Sequence, residues 1–173
     1  NLNEISAQSN VIKSLKSAMH TKNIPHLIFF GPSGCGKTST ILALSKELFG
    51  SENYTDRIIE LNASDERVIN VIREKIKTYA KQSIKNIKDA PPWKIIILDE
   101  ADSITPKAQN LLSNIISEFR KTTRIVFICN DCTQIIESIQ SRCMIIKYPR
   151  INSDNLYHKI EYICKKESIP YTE

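Results

Sequence analysis

Apolar residues along the chain follow two spacings, and the switches between them outline the fold. Continuous apolar runs at Leu27-Ile28-Phe29-Phe30, at Lys94-Ile95-Ile96-Ile97-Leu98-Asp99-Glu100 and at Ile125-Val126-Phe127-Ile128-Cys129 predict strands buried on both faces, as parallel strands are. Shorter apolar stretches at Arg57 to Leu61 and Met144 to Tyr148 predict two further strands. Between the strands the spacing changes to three and four residues, the helical period. Val11, Leu15, Ala18 and Met19 mark a helix from Ile5 to Met19, and Ile41, Leu42, Leu44 and Leu48 mark one from Ser39 to Leu48 that Gly50 ends as a left-handed cap. Ser64 or Asp65 caps a long helix through Val68, Ile72, Ile76, Ala80, Ile84 and Ile87, which Pro91-Pro92 breaks. Thr105-Pro106 opens a helix to about Arg120, a short one covers Thr133 to Ile139, and Asp154 to Glu167 is helical beyond Pro149. Strands alternating with helices give an α/β fold, a parallel sheet covered on both faces.

Composition changes this picture little. With 173 residues, 41% apolar and 25% charged, the chain holds one well-buried domain of residues 1–150 and the start of a second at 151–173. No apolar run reaches 18 residues and no charged-then-apolar leader is present, which predicts neither a membrane span nor a signal peptide. The first residues, Asn1-Leu2-Asn3, lack an initiator Met, as a fragment would. The net charge of +5 matters only where it is concentrated, and seven basic residues against one acid, Glu74, between Arg67 and Lys88 concentrate it on one helix. Five cysteines, an odd number, suit a reducing compartment better than a disulfide framework.

The candidate chemistry begins after the first strand. Gly31-Pro32-Ser33-Gly34-Cys35-Gly36-Lys37-Thr38 fits G-x-x-x-x-G-K-[ST] between a strand and a helix, the context in which backbone N–H groups cradle a phosphate. Lys37 would reach the β/γ-phosphates and the Thr38 hydroxyl would ligate Mg²⁺. Asp99 suits the carboxylate near that metal, and Glu100 suits a general base for water. Asn130 ends the next buried strand at the same sheet edge, where ligands of open parallel sheets bind.

Five elements taken together are more specific: Gly31 to Thr38, Ile95 to Asp102 (I-I-I-L-D-E-A-D), Asn130, Leu61-Asn62-Ala63-Ser64-Asp65 and Ser141-Arg142-Cys143. In this order they resemble the AAA+ module of replication factor C small subunits, the sliding-clamp loaders. The resemblance implies a three-layer AAA+ domain with a five-stranded parallel sheet and the start of a helical lid. It implies a Mg·ATP site over Gly31 to Ser39 with Asp99, in which Thr38 and Asp99 hold the metal and Lys37, Glu100 and the sensor Asn130 act in hydrolysis. Arg142 is implied as an arginine finger acting in trans on a neighbour's ATP, and Arg67 and Arg73 as contacts to the DNA backbone. The implied partners are other loader subunits in a hetero-pentamer, a sliding clamp and primer-template DNA. The implied location is the nucleus in a eukaryote, or otherwise the cytoplasm or a viral replication site.

The chain departs from the family pattern at Val68, where a glycine is usual, and at Ser113-Asn114 and Gln134, which are commonly basic. The helix beginning at Pro106 presents Leu111, Leu112, Ile115, Ile116 and Phe119, in the region that faces the clamp in the family. Cys129 and Cys132 form one C-x-x-C with no second pair, a weak zinc pattern. Two rival functions remain on the sequence alone: another AAA+ DNA motor of the branch-migration type, and an ATP-holding scaffold without turnover. A GTPase is disfavoured because no N-K-x-D is present.

Overall fold

The computed structural model describes residues 9–20, 24–64, 68–82 and 90–170. In chain order the elements are α1 (Ser9–His20), β1 (His26–Phe30), α2 (Lys37–Phe49), β2 (Ile58–Asn62), α3 (Val68–Lys81), β3 (Lys94–Asp99), α4 (Pro106–Glu118), β4 (Thr123–Cys129), α5 (Glu137–Gln140), β5 (Cys143–Lys147) and α6 (Ser153–Lys166). The five strands form one sheet in the order β2-β3-β4-β1-β5, and every pairing is parallel.

The continuous apolar runs are explained by the layers on either side. Along β3, Ile95 and Ile97 point into one cluster with Val11 and Leu15 of α1 and Ile41, Leu44 and Phe49 of α2. Ile96 and Leu98 point the opposite way, into a second cluster with Ile76 of α3 and Leu112, Ile115 and Ile116 of α4. A period of two therefore buries every residue, and each such aliphatic side chain contributes about 1.5–3 kcal/mol. Among the described residues no helix is long and apolar enough to cross a membrane.

Several boundaries differ from expectation for identifiable reasons. Arg57 is not in the strand but closes a 3-10 turn, Thr55–Arg57, with its guanidinium buried and donating to the carbonyls of Pro91 (3.3 Å) and Trp93 (3.2 Å). Helix α3 ends at Lys81, where the buried Lys94 ammonium donates to the carbonyls of Tyr79 and Gln82 (2.8 Å) and so satisfies the helix end. Ile84 and Ile87 lie outside the described residues, as do Ile5 and Asp65. Gly50 has the expected positive φ of 79°, yet its ψ of 151° is extended, so it is not a left-handed cap.

The predicted helix Thr133 to Ile139 is two pieces, a 3-10 turn at Cys132–Gln134 and the single-turn α5. Gln109, buried in α4, causes the split. Its Nε2 donates to Ile104 O (2.9 Å) and Gln134 O (2.8 Å), and its Oε1 accepts from the Ile136 N–H (2.8 Å). Those backbone groups are thus paired with a side chain rather than with a helix.

At the start of β1, the buried His26 accepts the Ile125 N–H at Nδ1 (3.0 Å). Burial first, and then the Arg124 charge, lower its pKa from 6.5 to about 4. The folded chain keeps His26 neutral where the unfolded chain takes up a proton. Its contribution is therefore fully present above pH 6.5 and declines as pH falls towards 4, by about 3 kcal/mol in all. Urea unfolding at pH 7 and pH 4.5 should show this loss, and His26→Asn should flatten it; an unchanged slope in that variant would assign the loss elsewhere.

Candidate functional site

The strand order decides which loops meet. Strand β4 lies between β1 and β3, so the loop after β1, the acidic end of β3 and Asn130 after β4 are neighbours at one sheet edge. They enclose a cavity of about 310 Å³ lined by Ser33 to Ser39, Asp99, Glu100, Ile128, Cys129 and Asn130.

The phosphate loop takes its shape from the close approach of strand β5. Tyr148 N donates to Phe30 O (2.8 Å), which brings the Tyr148 carbonyl against Gly31, where an added Cβ would stand 2.2 Å from that oxygen. Gly31→Ala must displace the loop or the strand end. The expected cost is about 1–3 kcal/mol in stability, with weaker nucleotide binding; an unfolding midpoint and affinity equal to those of the unsubstituted chain would refute this contact as the reason for the glycine. Gly36 caps α2 at φ 92°, ψ 17°, a left-handed conformation costly for other residues, with no side-chain cap on the helix. The first N–H groups of α2 are left for an anion.

Lys37 is buried in this loop, and its ammonium donates to Gly31 O (2.6 Å), Pro32 O (2.9 Å) and Asn130 Oδ1 (3.1 Å). Asn130 Oδ1 also accepts from Ser33 Oγ (3.3 Å). On the other wall, Thr38 Oγ1 donates to Asp99 Oδ2 (3.0 Å), and the Glu100 N–H donates to Asp99 Oδ1 (2.8 Å). Glu100 itself is left-handed (φ 53°, ψ 40°), which costs of order 1 kcal/mol for a non-glycine residue. Ser103 supports that conformation, its N–H (3.0 Å) and hydroxyl (2.7 Å) both donating to the Glu100 carbonyl. A hydroxyl beside a carboxylate is a donor set suited to Mg²⁺, and the ammonium with the free helix N–H groups suits a polyphosphate.

Arg142 is not in this cavity. It precedes β5, whose first residue Cys143 pairs with His26 at the start of β1, whereas the phosphate loop follows the end of β1. Four strand steps, about 13 Å, separate the two edges. The exposed Arg142 guanidinium donates to Ser138 O within its own turn. Arg67 lies outside the described residues, and Arg73 is placed only as far as its position in α3. Of the five apolar residues of α4 and its end, Leu112, Ile115 and Ile116 are core, while Leu111 is exposed and Phe119 partly so. The apolar face available to a partner is correspondingly small.

Three contributors escaped the sequence reading. Asp102 Oδ2 accepts the Asn130 N–H (3.0 Å), Ser103 holds Glu100, and Gln109 fixes the turn after Asn130. Gln109 left a signal as the polar interruption of an apolar stripe three and seven residues before Leu112 and Ile116, and Asp102 closes the I-I-I-L-D-E-A-D element with no role attached to it there. Cys129 buries its thiol, which donates to Phe29 O (3.8 Å), and burial pushes its pKa up to about 12.

Residues 27–150 match the family model described as ATPase family associated with various cellular activities (AAA). The chain belongs to the AAA family. Within it, the chain is 43% identical over 171 residues to replication factor C subunit 2 of Schizosaccharomyces pombe, covering 97% of this chain and 50% of that protein. It is 44% identical over 172 residues to the replication factor C small subunit of Archaeoglobus fulgidus, covering 99% and 53%. The chain spans about half the length of the curated relatives it matches. Two variants of Thermotoga maritima RuvB share the fold, with TM-scores of 0.67 and 0.72 at 14% and 16% identity, covering 95% and 98% of this AAA chain and 51% and 55% of theirs.

Proposed function

We propose that this chain is the ATP-binding part of a clamp-loader subunit, which closes on primer-template DNA with ATP bound and releases DNA and a sliding clamp on hydrolysis. Residues 1–150 would form the nucleotide-binding unit and 151–173 the start of a helical lid. ATP would lie over Gly31 to Ser39, with the phosphates against the N-terminus of α2 and Lys37. Thr38 and Asp99 would hold Mg²⁺, which supplies charge neutralisation on the phosphates. Glu100 accepts the proton of the attacking water, and Asn130 orients the γ-phosphate or that water.

The observation that carries this reading is the separation of Arg142 from its own cavity. A clamp-loader-like finger must act on a neighbour, and Arg142 sits at the opposite sheet edge from the phosphate loop. A finger in trans makes hydrolysis depend on assembly and contributes about 10³-fold or more in rate. Arg67 and Arg73 would follow DNA phosphates, giving shape-dependent and salt-dependent binding. The relatives' names support loader subunits as partners, and in a eukaryote the work would be nuclear.

The test is pull-down of the full-length chain with a sliding clamp and the other loader subunits, with and without ATP, alongside DNA-stimulated ATPase. ATP-dependent clamp capture and stimulation by clamp plus DNA are expected. Strand displacement without clamp capture would point instead to a branch-migration motor. Turnover unaffected by Glu100→Gln and, separately, by Arg142→Ala in the whole complex would make this subunit a non-firing scaffold.

A further inference from the structure

The turn that follows the acidic strand end carries a residue whose contact lies on the far side of the cavity. Ala101, fully buried, anchors the 3-10 turn Ala101–Ser103 in the core between the sheet and α4. From that anchor Asp102 reaches across to β4 and accepts the backbone N–H of Asn130 at Oδ2 (3.0 Å). Asn130 is exposed at the end of its strand, so core packing does not hold it. Its side-chain oxygen nevertheless meets two donors of the phosphate loop, Lys37 Nζ and Ser33 Oγ. A short polar side chain keeps such a position only if its own backbone is fixed, and the carboxylate of Asp102 provides a charge-assisted bond at that point. The neighbouring Ser103 clamps the Glu100 carbonyl with two donors. One turn, anchored by the buried Ala101, thus holds both the residue assigned to activate water and the residue assigned to sense the γ-phosphate.

We infer that Asp102 is a positioning residue for ATP hydrolysis, fixing Asn130 relative to Glu100 through the Asn130 N–H. The inference rests on the functional reading above. Its role is geometric: Asp102 is not among the residues that line the cavity, and it acts through where it places the Asn130 amide. Loss of the bond should leave ATP binding in place and slow the chemical step, because misplacement by about an ångström is costly there.

The experiment uses the full-length chain assembled with its partner subunits, comparing steady-state ATP hydrolysis with binding of a fluorescent ATP analogue. Asp102→Ala is expected to lower kcat about ten- to a hundredfold with analogue affinity unchanged. Asp102→Asn, whose amide oxygen can accept the same N–H, should recover most of the rate. The double variant Asp102→Ala/Asn130→Ala should be no slower than Asn130→Ala alone. If Asp102→Ala fails to assemble, Asp102→Glu takes its place. That variant keeps the charge but moves the oxygen by one methylene, and should be slow where Asp102→Asn is not. Multiplicative effects in the double variant, an unchanged kcat in Asp102→Ala, or an Asp102→Asn as slow as Asp102→Ala would each overturn the inference. Lys37→Ala separates this from the underlying reading: if it leaves ATP binding and turnover intact, the assignment of the site falls and the role of Asp102 falls with it. If Lys37→Ala abolishes turnover while Asp102→Ala does not slow it, the role of Asp102 alone is lost.

Discussion

Glu100→Gln in the assembled complex is expected to lower ATP turnover at this subunit's own site by about 10²–10⁴-fold while nucleotide still binds. Glutamine is nearly isosteric with glutamate, so the left-handed backbone at φ 53° and the two Ser103 bonds that support it stay in place. The Asp99 carboxylate, held by Thr38 Oγ1 and the Glu100 N–H, is untouched as well. What disappears is the group able to accept a proton from water. Single-turnover hydrolysis measured beside equilibrium nucleotide binding separates the two steps. Turnover at this subunit's own site within a few-fold of the unsubstituted value would show that Glu100 is not the base.

The largest expected effect on stability is at Phe127. This side chain is fully buried in β4, the middle strand of the sheet, in the cluster that contains Ile28, Leu98, Leu112 and Ile116. Phe127→Ala removes a whole aromatic ring from a site enclosed by strands on two sides and helices above. The expected loss is about 3–5 kcal/mol, read from the urea midpoint at constant slope. Leu111→Ala provides the contrast, since that residue is 39% exposed and should cost no more than about 0.5 kcal/mol. Equal losses at the two positions would contradict the assignment of layers.

The strands and the phosphate loop were legible because their signals are local. Five successive apolar residues such as Ile125 to Cys129 need cover on both faces, and Gly31 to Thr38 places its glycines and Lys37 within one turn of chain. What escaped notice depends on partners distant in sequence. Arg57 and Lys94 stand first in predicted strands with nothing nearby in the sequence to mark a partner, yet both are buried against carbonyls, those of Pro91 and Trp93 and of Tyr79 and Gln82 respectively. The stretch Thr133 to Ile139 has helical spacing, but Gln109 offers its backbone a competing set of bonds from another element. The carboxylates of Asp99 and Glu100 announced themselves beside an apolar strand. Asp102, three residues on, has a role only because the strand order brings Asn130 to it.

Lys37 leads to one more consequence. An ammonium has three protons, and here three acceptors already take them: the carbonyls of Gly31 and Pro32 and the Asn130 amide oxygen. A phosphate reaching this lysine therefore trades with an existing acceptor instead of filling a gap. Nucleotide binding here is an exchange reaction, its net strength set by the difference between the bonds formed and those surrendered. If Asn130 is the acceptor surrendered, ATP would leave the amide proposed to read its γ-phosphate held by Ser33 Oγ alone.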